Sequence, residues 1–205
     1  MYHLYSSPGT GGMIIELLLK LSGLPHEVDF FDYEKLSQNK KYLELNPLHQ
    51  VPTMRLPNGE LMTESLAMAY YLNSKANMGL IPDVNDKTYP AFLRWSVFLV
   101  ASIYPTFTYS DDTSRWVEGE VSQELLRFKI DEFRKTMWMQ MHNATSQDGP
   151  WILGSSKSII DFYLAVMTNW RPGRDWFKGN APSLFEISGR IGRSPELESV
   201  FAINK

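Results

Sequence analysis

The hydrophobic pattern of this chain changes period about a third of the way along. Up to residue 76, short runs with a two-residue repeat alternate with runs at helical spacing. Tyr2-His3-Leu4-Tyr5 reads as a short strand, ended by Ser6-Ser7-Pro8-Gly9. Met13 to Leu21 places apolar residues at helical spacing, with Gly23 as the predicted C-cap. His26 to Phe31 alternates as a second strand, and Asn39 to Leu45 predicts a short helix at most, stopped by Asn46-Pro47. A third strand begins near Val51-Pro52-Thr53, because a proline without an N–H belongs at a strand start or edge. Pro57-Asn58-Gly59 carries a turn signature, Glu60-Leu61-Met62 a fourth short strand, and Thr63-Glu64-Ser65 opens a helix running to about Lys75. The order β-α-β-α-β-β-α predicts an α/β sheet covered by helices on both faces.

Residues 77–88, with Gly79, Pro82, Asp83, Asn85 and Asp86, have the composition of a linker. Beyond them the strand signals vanish. Tyr89 to Pro105 predicts one helix and Gly119 to Asn143 a longer one, with Leu125, Leu126, Ile130, Phe133 and Met137 on its apolar stripe. A third helix is predicted over Ser158 to Trp170, with shorter ones over 183–192 and 195–203. Residues 89–205 therefore predict an all-helical bundle. Ser158 and Asp161 have capping-box spacing, which marks a folding device rather than a catalytic pair.

Composition narrows the function. Among 205 residues the formal charge is −3, and no Lys/Arg-rich run is present, which argues against nucleic acid or an anionic membrane as partner. No apolar stretch has the length of a transmembrane helix, and residues 2–5 open directly into a strand pattern, so the expected location is cytoplasmic. The chain has no cysteine, which excludes disulfides, thiolate metal sites and a cysteine nucleophile. His3, His26, His49 and His142 stand far apart, and no metal site is expected.

Two segments carry the candidate chemistry. In Asn46-Pro47-Leu48-His49-Gln50-Val51-Pro52-Thr53, a cis bond before Pro52 would turn the Val51 backbone outward, towards an extended ligand. Eleven residues after Thr53, Glu64-Ser65 heads a helix, whose free N–H groups and dipole suit a carboxylate. These segments resemble the N-P-x-x-x-V-P-x and E-S or Q-S motifs of the glutathione transferase family. Trp151-Ile152-Leu153-Gly154-Ser155-Ser156-Lys157-Ser158-Ile159-Ile160-Asp161 is similar to the family's F-L-x-G-x-x-x-S/T-x-A-D segment. The resemblance covers nearly the whole chain.

The resemblance implies a glutathione transferase fold, an α/β thioredoxin-like N-terminal domain at 1–76 plus an all-α helical-bundle C-terminal domain at 89–205 lining the electrophile site. It implies glutathione as co-substrate, a hydrophobic electrophile as second substrate, and a homodimer. Glu64 would pair with the γ-glutamyl ammonium and Ser65 with its carboxylate. Val51, oriented by Pro52, would pair with the cysteinyl backbone, and Gln50 would reach the glycyl end. Counting back from Gly23 sets Thr10 opposite the serine of the theta-like class, Gly11 opposite the cysteine of the beta-like class, and Tyr5 opposite the tyrosine of the alpha, mu and pi classes. Thr10 is the first choice as donor to the thiolate, with Tyr5, Ser7 and Ser6 behind it. Tyr104, Phe107, Tyr109, Trp170, Trp176 and Phe177, with Arg171 and Arg174, are candidates for the electrophile pocket. A non-enzymatic regulatory or ligand-binding protein of the same fold is the alternative.

Overall fold

The first strand, β1 (Tyr2–Ser6), forms the centre of a four-stranded sheet of order β2-β1-β3-β4. It runs parallel to β2 (His26–Phe30) and antiparallel to β3 (Thr53–Arg55), which pairs antiparallel with β4 (Leu61–Met62). These relations come from a computed structural model that describes residues 1–146 and 148–204. The parallel β1–β2 pair needs a crossover, which α1 (Gly12–Ser22) supplies, ending on Gly23 in the left-handed conformation as predicted.

Alternation along β1 sorts its side chains to two faces. Leu4 and Ser6 face α1, where Leu4, Ile14, Leu17, Leu18, Met54, Met68 and Leu72 are buried together with α3 (Ser65–Ala76). Tyr5 faces the other way. It packs with Leu36, from a 3-10 turn over Tyr33–Gln38, and Tyr42, from α2 (Lys40–Leu45), against Phe31, Leu45 and Val51. Helical elements thus cover both faces of the sheet.

Contacts group the chain into two units, 1–81 with 189–205, and 82–188. The first break falls inside the predicted linker. The placement of 189–205 differs from the expected helical domain, and the reason is packing on α1. The 3-10 turn Pro195–Leu197 and α10 (Glu198–Ile203) lie against α1, burying Leu197 and Val200. Helical type alone had assigned this stretch to the bundle.

The second unit is helical throughout, in α4 (Tyr89–Phe98), α5 (Tyr104–Asp111), α6 (Glu120–Asn143), α7 (Ile159–Met167), α8 (Arg174–Asn180) and most of α9 (Pro182–Gly192). The helix predicted to stop at Pro105 instead continues to Asp111. A π-helical segment over Leu99–Ile103 widens the helix just before Pro105, relieving the clash a proline makes with the preceding turn. The stripe predicted on α6 also turns out differently. Met137 is buried, but Leu125 and Phe133 are exposed, and the helix instead buries Arg134, Trp138 and Met141.

Candidate functional site

Three backbone segments meet at one end of the sheet, and the strand register requires it. Tyr5 pairs with Thr53, so the loop leaving β1 lies beside the start of β3. Met54 pairs with Met62, so the end of β4 lies at that same edge, and Thr63-Glu64-Ser65 follow directly. The Ser6–Gly12 loop, the Val51–Pro52 bond and the head of α3 are thereby brought together.

The Val51–Pro52 bond is cis, as the motif implies. A polar cluster builds the loop that carries it. The Asn46 amide donates to the Gln50 carbonyl at 2.9 Å and to Thr53 Oγ1 at 3.2 Å, while its own oxygen accepts from the Leu48 N–H at 3.0 Å. The Tyr42 hydroxyl donates to the same Gln50 carbonyl at 2.6 Å and lies 3.1 Å from Thr53 Oγ1. Burial pushes the Tyr42 pKa up, which keeps it a donor. Asn46 thus shapes the loop from beneath. Among the described residues, neither the N–H nor the C=O of half-buried Val51 takes a hydrogen-bond partner. The Gln50 side chain is exposed while its carbonyl is saturated.

Glu64 is exposed and sits at the N-cap of α3 with φ of 65°, a conformation that costs a non-glycine residue of order 1–3 kcal/mol. Such strain concentrates where backbone is fixed for a ligand. Ser65, half-buried, is the first residue of α3.

The hydroxyls of the β1–α1 loop are less open than the sequence suggests. The Ser6 hydroxyl donates to the buried Glu16 carboxylate at 2.9 Å. The Thr10 hydroxyl donates to the Ser7 carbonyl at 2.7 Å and accepts from the Gly12 N–H at 3.3 Å. The Ser7 hydroxyl is buried with no partner among the described residues, an arrangement that costs about 1–3 kcal/mol. The Tyr5 hydroxyl accepts from Arg55 Nε at 3.4 Å, and its ring stacks on His3. Of the four, only Thr10 is both half-exposed and at the start of α1.

The candidates in the helical unit pack among themselves. Tyr104 and Phe107 meet the edge of Trp170, and Phe177 lies between Trp138 and Trp176. Arg171 pairs with Asp111, and Arg174 donates to Ser188 and to Thr168 Oγ1. Both arginines are therefore held by groups of their own unit. Tyr109 is 44 % exposed and borders a groove of about 530 Å³ with Phe98, Pro105, Ile130, Phe133 and Met137. Among the described residues no group of three or more His, Asp or Glu could hold a metal ion, and no helix is long and apolar enough to cross a membrane.

Known proteins place this architecture. The model of the glutathione S-transferase N-terminal domain matches residues 13–75. An uncharacterized GST-like protein of Escherichia coli K12, YncG, is 35 % identical over 100 % of this chain and 99 % of its own length. The glutathione S-transferase GstA of Escherichia coli O157:H7 is 26 % identical, over 97 % of this chain and 96 % of its own length. A glutathione transferase homolog from Sulfitobacter, solved with bound glutathione, superposes with a TM-score of 0.84 at 23 % identity, covering 98 % of this chain and 97 % of that one. The chain belongs to the glutathione transferase family.

Proposed function

We propose that this chain binds glutathione, lowers its thiol pKa and directs the thiolate at a soft electrophile. The observation that carries the reading is the convergence at the sheet edge of an unpaired Val51 backbone beside a cis proline and a strained Glu64 at the head of α3. Val51 N–H and C=O pair with the cysteinyl residue, and Gln50 reaches the glycyl end. Glu64 holds the γ-glutamyl ammonium, while Ser65 and the helix dipole hold its carboxylate. The related structure with bound glutathione supports the choice of ligand. Replacing Ser65 by alanine is expected to weaken glutathione binding by about 1–3 kcal/mol, the worth of a charge-assisted bond. Calorimetric titration checks this, and unchanged affinity would remove the assignment.

Thr10 is the donor to sulfur in this reading. A free thiol titrates near 8.5, and a hydrogen bond to the thiolate lowers that value, each unit being worth about 1.4 kcal/mol. The Ser7 carbonyl also accepts from the Thr10 N–H at 3.3 Å, so the Thr10 hydroxyl can turn to a bound sulfur without stranding its present acceptor. The Thr10→Val variant is expected to raise the pH midpoint of thiolate formation in the bound complex, read by ultraviolet absorbance, and Tyr5→Phe to raise it less. A shift with Tyr5→Phe alone would move the role to the tyrosine.

One observation favours a second reading. Every hydroxyl of the loop is either committed to a protein acceptor, buried, or paired with Arg55. A glutathione-binding protein without turnover would look the same. It gains if neither substitution moves the midpoint. The family reading also carries a homodimer and a cytoplasmic location. The exposed apolar face of α6, with Val121, Leu125 and Phe128, suits a second copy of the chain, and sedimentation at micromolar concentration tests for it.

A further inference from the structure

We propose that Asn204, just after α10, is a positioning residue for the Ser6–Gly12 loop. The proposal rests on the reading above insofar as that loop receives the glutathione sulfur. The loop has little to hold it in itself. Pro8 and Gly9 are exposed, and Gly9 has φ of 72°. Within the loop, Thr10 bonds to the Ser7 carbonyl through both its N–H and its hydroxyl, and the Gly12 N–H donates to Thr10 Oγ1.

Asn204 ties the loop to the C-terminal end of the same unit. Its Oδ1 accepts from the Gly9 N–H at 3.0 Å. Its Nδ2 donates to Glu16 Oε2 at 2.9 Å and to the Val200 carbonyl at 3.0 Å. The other carboxylate oxygen of Glu16 accepts from Ser6 Oγ at 2.9 Å. One amide therefore spans the middle of the loop and, through Glu16, its first residue. The amide can sit only one way round. Flipped, its NH₂ would face the Gly9 N–H and its oxygen would face a carboxylate.

The network also explains why the sequence has glycine at 12. A Cβ there would lie 2.0 Å from Ser6 Oγ, so a side chain would displace the hydroxyl that Glu16 holds. Desolvation raises the Glu16 pKa, and the bonds from Asn204 and Ser6 oppose that rise. Without Asn204, a buried carboxylate keeps one side-chain donor and the Gly9 N–H loses its acceptor. The conformation that places Thr10 just before α1 then loses the bond that Asn204 makes to the loop at Gly9.

The test is Asn204→Ala with two readouts. Exchange of the Gly9 amide, followed by NMR on the free protein, is expected to speed up at least about tenfold. The pH midpoint of bound glutathione is expected to rise by about half a unit, with affinity at low pH changed less than about twofold. Should the alanine variant not fold, Asn204→Leu keeps the approximate size and removes both the acceptor for Gly9 and the donor to Glu16; it is expected to free the Gly9 N–H in the same way. Native protection of Gly9 in a folded variant overturns the proposal. So does a freed Gly9 with an unmoved midpoint, which would reduce Asn204 to a structural tie. If the native chain itself fails to bind glutathione, the functional reading falls, and Gly9 exchange still decides whether the clamp exists.

Discussion

Replacing Asp161 by alanine is expected to cost about 3–5 kcal/mol of stability, because three buried donors lose their acceptor and two of those bonds belong to the helix cap. The carboxylate accepts from the Ser158 N–H at 2.7 Å, from the Ser158 hydroxyl at 3.1 Å and from the Ile152 N–H at 3.1 Å. All these groups are buried, so water cannot replace the lost acceptor. The same side chain starts α7, which is buried along its whole length, and ties it to the turn at Trp151–Gly154. Urea denaturation measures the loss; a cost under about 1 kcal/mol would show that the turn finds other acceptors.

Asp161 also predicts a pH dependence. Burial pushes its pKa up to about 6, against opposing bonds from Ser158 and Ile152. A carboxyl raised in the folded state stabilises fully below its unfolded value and loses that contribution as pH rises through the folded one. Its window therefore runs from about 4 to about 7. Relative to Asp161→Asn, which does not titrate, the native chain is expected to gain about 1 kcal/mol between pH 7.5 and pH 5. An identical change in both proteins would remove Asp161 as the source.

Local chemistry made part of this molecule legible. Val51-Pro52 and Glu64-Ser65 state in their residue types what the backbone does, so the candidate glutathione contacts could be named from sequence. The capping box at Ser158 and Asp161 follows from spacing alone and forms as read. What stayed hidden is whatever depends on a distant partner. Glu16 lies in an otherwise apolar helix run, and nothing in its spacing points to Asn204, 188 positions away. Tyr42 and Thr53 read as helix and strand residues, yet their hydroxyls set the loop carrying Val51. Types of hydroxyl were visible in the first loop, but not that Ser6 and Thr10 donate to protein acceptors. On α6, apolar Leu125 and Phe133 looked like core because an apolar stripe does not say whether it faces inward. Arg134 drew no reading from the sequence, since a charged residue on a helix is ordinarily exposed, yet it is fully buried.

Arg134 carries the other large effect, and Arg134→Ala is expected to cost about 3–4 kcal/mol, as a large buried side chain and four hydrogen bonds are lost together. The guanidinium is fully buried. It donates to Thr106 Oγ1 at 2.7 Å, to the Thr106 carbonyl at 2.8 Å, to Ser110 Oγ at 2.7 Å and to Asp131 at 2.7 Å, and it lies 3.9 Å from the centre of the Phe107 ring. These contacts fix the first turns of α5, just after the π segment that accommodates Pro105. Arg171 reaches the same Ser110 hydroxyl at 3.1 Å and pairs with Asp111, so two arginines and two aspartates balance around one turn. Lysine places a single charge where a planar fork is needed, so Arg134→Lys is expected to recover less than half of the loss. Arg134→Met restores most of the volume with no charge to desolvate, and is expected to cost about 1–2 kcal/mol less than alanine. The order alanine, lysine, methionine by falling cost distinguishes a site held by shape from one held by charge. If lysine proves the mildest of the three, the ion pair with Asp131 outweighs packing and the fork is dispensable.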